Sequence, residues 1–190
     1  MEMIKSDFEK RNNFESYRMA STFGLIMGLA ISAIHFIFYL LEGKINSSFA
    51  VTVLTLIAVI IVIYKATVKY RNVSGGYISY WNAFVYGVKI FLFAGIIGAV
   101  YSYVFSNIDP DYAYRQIELI RQPLLNAEFA SAEIVDKMIS TMKEDMDYQM
   151  QHPFQSALSA ILWNTFSGAL FCFISSAFLR KNKPETINES

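Results

Sequence analysis

Gly75-Gly76-Tyr77-Ile78-Ser79-Tyr80-Trp81-Asn82-Ala83-Phe84 opens a stretch that runs through an apolar body and closes at Ile108-Asp109-Pro110-Asp111-Tyr112. Paired glycines favour a turn over a continuing helix, because without a Cβ they adopt backbone conformations that other residues avoid. From residue 82 to residue 105 the chain then carries a single charged side chain, Lys89. A bilayer core is crossed by roughly 20 mostly apolar residues in a helix. The stretch therefore reads as a membrane-spanning helix that starts at a glycine turn and leaves through a polar Asp-Pro-Asp exit.

Outward from it, residues 20–41, 48–64 and 156–179 have the same apolar character and contain no Lys, Arg, Asp or Glu. Hydrophobic residues make up 54% of the chain, and the mean hydropathy of +0.34 matches that reading. Backbone groups in lipid must be satisfied within their own segment, so all four stretches are expected to be helices. This includes Val59-Ile60-Ile61-Val62-Ile63, whose β-branched side chains would favour a strand in water. The expected fold is all-α: an integral membrane four-helix bundle with a small extracytoplasmic helical hairpin between spans three and four. The expected parts are 1–105 (tail and spans one to three), 106–155 (the acidic helical segment) and 156–190 (span four and tail). Residues 1–19 are polar, and the apolar run after them exceeds the roughly 7–15 residues of a signal-peptide core. An uncleaved first span is expected.

Sixteen basic and sixteen acidic residues cancel, so no bulk charge points to nucleic acid. Their distribution is uneven. Lys5, Lys10, Arg11 and Arg18 precede span one, Lys65, Lys69 and Arg71 lie between spans two and three, and Arg180, Lys181 and Lys183 follow span four. The other side has Lys44 in the loop 42–47 and Arg115, Arg121, Lys137 and Lys143 in the long segment, giving ten against five. Basic flanks stay cytoplasmic, which places both termini inside and 106–155 outside. Tyr64, Tyr70, Tyr77, Tyr80 and Trp81 should mark the inner membrane boundary, and Tyr101, Tyr103 and Tyr112 the outer one.

The long segment carries nine acidic residues against those four basic ones. The aspartate before Pro110 is placed to cap a first helix, and Pro123 is expected to divide two short helices. A further helix should start at Ser131 with Glu133 in its first turn, and Pro153 should end it. Its apolar face is expected along Ile134, Val135, Met138, Ile139, Met142, Met146 and Met150. Four of these are methionines at spacing four, with His152 just beyond. Thioethers suit Cu(I), but a stripe climbing one helix does not converge on an ion, and packing is the expected use.

The glycine-led Tyr-Ile-Ser-Tyr-Trp-Asn-Ala-Phe run, Gly87-Val88-Lys89 and Ile108-Asp109-Pro110-Asp111-Tyr112 together resemble a bacterial family of four-span membrane proteins, domain of unknown function 4199. The resemblance extends over nearly the whole chain. It implies a bacterial inner-membrane location and no particular activity.

Three polar side chains inside the spans are the candidate functional residues. Lys89 sits about seven residues into span three. An intramembrane charge marks a functional candidate, while a lysine stem also reaches the membrane surface by snorkelling. His35 and Asn164 are expected at similar depth, where a hydrogen bond would satisfy both. Two small-residue stripes, Ala20-Gly24-Gly28-Ser32 and Asn164-Gly168-Cys172-Ser176, should let helices approach closely. The second span has no glycine, so the first, third and fourth spans are expected to form the packed interior, with the second more lipid-exposed. Cys172 is the sole cysteine, which excludes an intrachain disulfide or a cysteine metal cluster. No phosphate loop, zinc-protease or serine-hydrolase motif is present. The residues point to a non-enzymatic protein with no cofactor or metal, acting as a structural or accessory interaction module. Its expected partners are the lipid bilayer and a homo-oligomer or another membrane protein, with no nucleic acid. The alternative is a small oligomeric transporter or channel subunit with Lys89 near the path. A membrane enzyme ranks last.

Overall fold

The computed structural model describes residues 2–41, 47–126 and 131–182. Seven helices account for nearly all of them: α1 Glu2–Leu40, α2 Ser47–Val73, α3 Tyr80–Ile108, α4 Tyr112–Leu119, α5 Arg121–Asn126, α6 Ala132–Gln151 and α7 Pro153–Leu179. The described residues contain no strand beyond one isolated bridge, between Ile78 and Lys181. Four helices are long and apolar enough to cross a membrane, over Phe14–Leu40, Phe49–Val73, Tyr80–Ile108 and Pro153–Leu179. The expected all-α bundle is therefore observed, and the β-branched run 59–63 is helical. Each helix extends past its apolar body. α1 starts 18 residues before the expected span because nothing from residue 2 to residue 19 is a glycine or proline that would break it. Residues 42–46 of the first loop, and the tail beyond Asn182, lie outside the described residues.

The helix ends follow local chemistry. Gly75 and Gly76 have φ of +88° and +86°, the left-handed region that glycine enters without penalty. The Gly76 N–H donates to the Arg71 carbonyl at 2.9 Å, which closes α2 with a Schellman-type bond. Ser79 then caps α3 by accepting from the Asn82 N–H at 3.3 Å. Ser131 caps α6 by accepting from the Ile134 N–H at 3.4 Å, and Glu133 lies in its first turn. α6 ends at Gln151, and Pro153 takes the first position of α7, where its missing N–H costs nothing. Two expectations shift. Asp111 occupies the N-cap of α4 with no side-chain cap bond. The division between α4 and α5 falls at Ile120 and not at Pro123. A proline ring excludes the carbonyl four residues earlier, here that of Leu119, so the break appears a turn upstream.

The chain divides into two compact units, Met1–Gly98 with Ile161–Ser190, and Ala99–Ala160. In the first, α3 is central. Of its most apolar stretch 44% is buried, against 17% for α1, 17% for α2 and 11% for α7. The core runs through Ala20 and Met27 of α1, Ile63 and Ala66 of α2, Tyr86, Ile90 and Ala94 of α3, and Cys172 of α7. The expectation that α2 stays outside this core is corrected. Ala66 and Thr67 are small enough for close approach without a glycine, and both are buried. α7 is the most exposed span.

Gly24 lies against Ile90 and Ala94, and Gly28 against Ala94 and Ile97, so α1 and α3 run parallel. Gly87 faces Cys172, Phe91 faces Gly168, and Gly95 faces Asn164, so α3 and α7 run antiparallel, with matched steps of four. The bridge between Ile78 and Lys181 continues that register past the helix ends through two N–H···O bonds of 2.9 Å. Both small-residue stripes thus serve the same helix, α3. The start of the α1 span and the end of α7 consequently lie at one end of this unit.

In the second unit, α4 and α5 pack on α6 through charged pairs. Arg121 reaches Asp136 at 2.6 Å, and Lys143 reaches Glu118 at 3.0 Å. Arg115 pairs with Asp109 at 2.7 Å. The Lys143 hydrogen bond and charge, with Arg121 adding, hold the Glu118 carboxyl below the usual carboxylate range. The Tyr114 hydroxyl donates to Asp147, and this bond pushes the phenol pKa up. The expected apolar face of α6 is rotated. Val135 and Ile139 are buried and Met142 and Met146 half-buried, whereas Ile134, Met138 and Met150 are exposed. The buried line advances by four, three and four residues, the spacing that keeps to one helix side. Spacing four alone drifts off it.

Candidate functional site

The Lys89 side chain is half-buried on α3, and its Nζ donates to the Ser16 Oγ of α1 at 3.3 Å. The same ammonium lies 3.8 Å from the centroid of the Tyr17 ring. With Gly24 level with residues 90–94, Ser16 and Tyr17 stand level with residues near 85. The ammonium is therefore turned back by about one helical turn, roughly 6 Å, toward the end where α3 begins. That is the direction a snorkelling lysine stem would take. Among the described residues no carboxylate pairs with Lys89.

Tyr86, one turn before Lys89, is 1% exposed, and its hydroxyl has no hydrogen-bond partner among the described residues. Its ring stacks on Tyr70 of α2, with centroids 4.3 Å apart and planes at 17°. One residue away, the Lys69 Nζ lies 5.6 Å from the Phe23 ring. The Tyr80 hydroxyl donates to the Phe173 carbonyl at 2.9 Å, and Lys181 lies 5.8 Å from the Tyr77 ring. Tyr64 and Trp81 are exposed. This end of the unit therefore gathers cations over aromatic faces and hydroxyls.

Ser16, Tyr17 and Tyr86 are the residues of this end that sequence reading missed. Ser16 had a signal, since it extends the stripe Ala20-Gly24-Gly28-Ser32 by one more step of four. Tyr86 had none, because an aromatic in an apolar span reads as core.

His35 and Asn164 are not brought together. Both are exposed, and no hydrogen bond joins them among the described residues. Asn164 is level with Gly95, hence with residues 26–27 of α1. His35 lies about two turns, roughly 12 Å, beyond that level. Counting residues from the span ends misplaced it, because α1 and α7 are not in step along α3.

Cys172 is buried with its Sγ against Gly87, a packing position with no base beside it. Among the described residues no group of three His, Cys, Asp or Glu side chains converges on a point. On α6, Met150 accepts a hydrogen bond from the Tyr114 hydroxyl at 3.7 Å. What the Lys89 end can do is hold a positive charge in a fixed place at one end of this unit.

A family model described as protein of unknown function (DUF4199) matches residues 22–181. No curated protein and no solved structure matches the chain.

Proposed function

Since the chain belongs to this family, whose description assigns no activity, we propose from the site that it is a non-enzymatic integral protein of the bacterial inner membrane, acting as a structural or accessory interaction module. The observation that carries this reading is the tethering of Lys89. Its ammonium rests on a serine hydroxyl and a tyrosine ring at the end of the bundle, a position that anchors helices. A transport lysine deep in a bundle exchanges its proton or ion with a nearby carboxylate, and Lys89 has none among the described residues. We read both termini as cytoplasmic and residues 106–155 as extracytoplasmic. The basic asymmetry and the shared end of α1 and α7 support that sense. A periplasm-active reporter should work when fused after residue 130 and fail after residue 190. The reverse pattern would invert the threading.

The decisive test of function is Lys89→Leu. Removing an intramembrane charge lowers the cost of insertion, and the lost cation–π contact is worth about 0.5–1 kcal/mol at an accessible site. Expression and melting temperature in neutral detergent should therefore change little, with no flux or growth defect. The second reading, a small oligomeric transporter or channel subunit, draws on the orphaned Tyr86 hydroxyl one turn from Lys89, where a water or solute would find a donor. A well-folded Lys89→Leu protein with lost flux would establish that reading in place of ours.

A further inference from the structure

We propose that the basic end of the first unit binds an anionic phospholipid, its phosphate seated on the Lys89 ammonium beside Ser16 and Tyr17. The inference names a ligand for the site just described and rests on reading Lys89 as a surface anchor.

Charge comes first. Among the described side chains of this unit the single carboxylate is Glu15, and Arg18 holds it at 2.9 Å. Among the described residues no acidic side chain pairs with Lys65, Lys69, Arg71, Lys89, Arg180 or Lys181. Three of these cations rest on aromatic faces: Lys89 on Tyr17, Lys69 on Phe23 and Lys181 on Tyr77. A ring face attracts a cation without neutralising it. An ammonium has three donors. At Lys89 one is spent on Ser16, at a distance long for a charge-assisted bond. A partly buried cation with only neutral partners is stabilised by any anion that reaches it.

Depth and shape then select the anion. Ser16 and Tyr17 precede the apolar stretch of residues 20–41 by four and three residues, so the ammonium lies near headgroup level. Tyr17 is 53% exposed, which leaves the site open from the side. Leu92 and Ile96 follow Lys89 by three and seven residues, on the same side of α3, and both are exposed. They supply an apolar track leading away from the charge. A phosphodiester with acyl chains fits both features, whereas free phosphate uses only the first.

The test uses the full-length protein, delipidated in neutral detergent and titrated with phosphatidylglycerol or phosphatidylcholine under native mass spectrometry. The parent should prefer phosphatidylglycerol, and Lys89→Gln should weaken that binding about fivefold. Lys89→Arg should keep it within about twofold, and phosphatidylcholine binding should not change. The parent's preference should also fall as salt is added. Unchanged binding by a folded Lys89→Gln protein would overturn the site in favour of a diffuse field. A salt-insensitive preference of the parent would overturn an ionic phosphate contact whether or not the glutamine variant folds. Displacement of the lipid by inorganic phosphate at comparable concentration would make this a free-anion site and overturn the lipid assignment.

Discussion

Gly24→Ala is expected to lower the melting temperature of the detergent-solubilised protein sharply, at a cost of about 1–3 kcal/mol or more. A Cβ on Gly24 would stand 2.8 Å from the Ile90 carbonyl oxygen and 3.2 Å from the Ala94 nitrogen, and would overlap the Cβ of Phe93. These are backbone and backbone-proximal atoms, which no rotamer change moves aside. Ile90 and Ala94 are buried in the core cluster, so α3 cannot retreat without opening its contacts with α2. The substitution therefore forces α1 and α3 apart along the contact that brings Ser16 to Lys89. Gly28→Ala should behave alike, since its Cβ would meet the Ile97 Cγ2 at 2.9 Å and the Ala94 carbonyl oxygen at 3.1 Å. Gly98→Ala is the control: an added Cβ there meets nothing within 4 Å, and alanine favours a helix by up to about 1 kcal/mol. Equal melting temperatures for the Gly24 and Gly98 variants would refute the close parallel contact of α1 and α3.

The second large effect is a graded one along the antiparallel contact of α3 and α7. Gly168→Ala should be severe, at about 1–3 kcal/mol. Its Cβ would lie 2.5 Å from the Phe91 Cδ1 and 2.6 Å from the Phe91 Cβ, and Phe91 is itself buried. Gly87→Ala should be intermediate and repairable. Its Cβ would stand 2.5 Å from the Cys172 Sγ and 3.3 Å from the Cys172 Cβ, so Cys172→Ala removes the nearer clash. The double variant should recover most of the stability lost in Gly87→Ala, a coupling of the size that contacting residues show, about 0.5–3 kcal/mol. Gly95→Ala should be close to neutral, because its nearest neighbours, Asn164 and Ile161, are 3.4 and 3.5 Å away, ordinary contact distances. Thermal unfolding of the four proteins measures the series. A severe Gly95 variant, or no rescue of Gly87→Ala by Cys172→Ala, would show that the register of α7 on α3 differs from the one described.

Features that depend on near neighbours along the chain were legible before the fold. Four apolar runs in lipid have no alternative to helix, because unpaired backbone groups are too costly there. The Gly75-Gly76 turn, the Ser131 cap and the end of α6 before Pro153 each arise within a few residues of the side chain responsible. Both small-residue stripes were recognisable as close-approach surfaces. Lys89 was recognisable too, as the one charge in a span.

The remainder depended on how the helices are set against each other. Ser16 is 73 residues from Lys89, and nothing local to either announces the pairing. His35 and Asn164 appeared level only while spans one and four were counted from their own ends. The Gly24, Gly28, Gly95 and Gly168 contacts put them about two turns apart. A missing glycine in α2 suggested a lipid-facing helix, yet Ala66 and Thr67 bring it into the core. Helix formation is decided by a segment and its solvent, and the chain alone specifies both. The axial register and rotation of packed helices are decided by which side chain fills which gap on a neighbour. Lys89 meets Ser16 and Tyr17 only once Gly24 and Gly28 have seated α1 on α3.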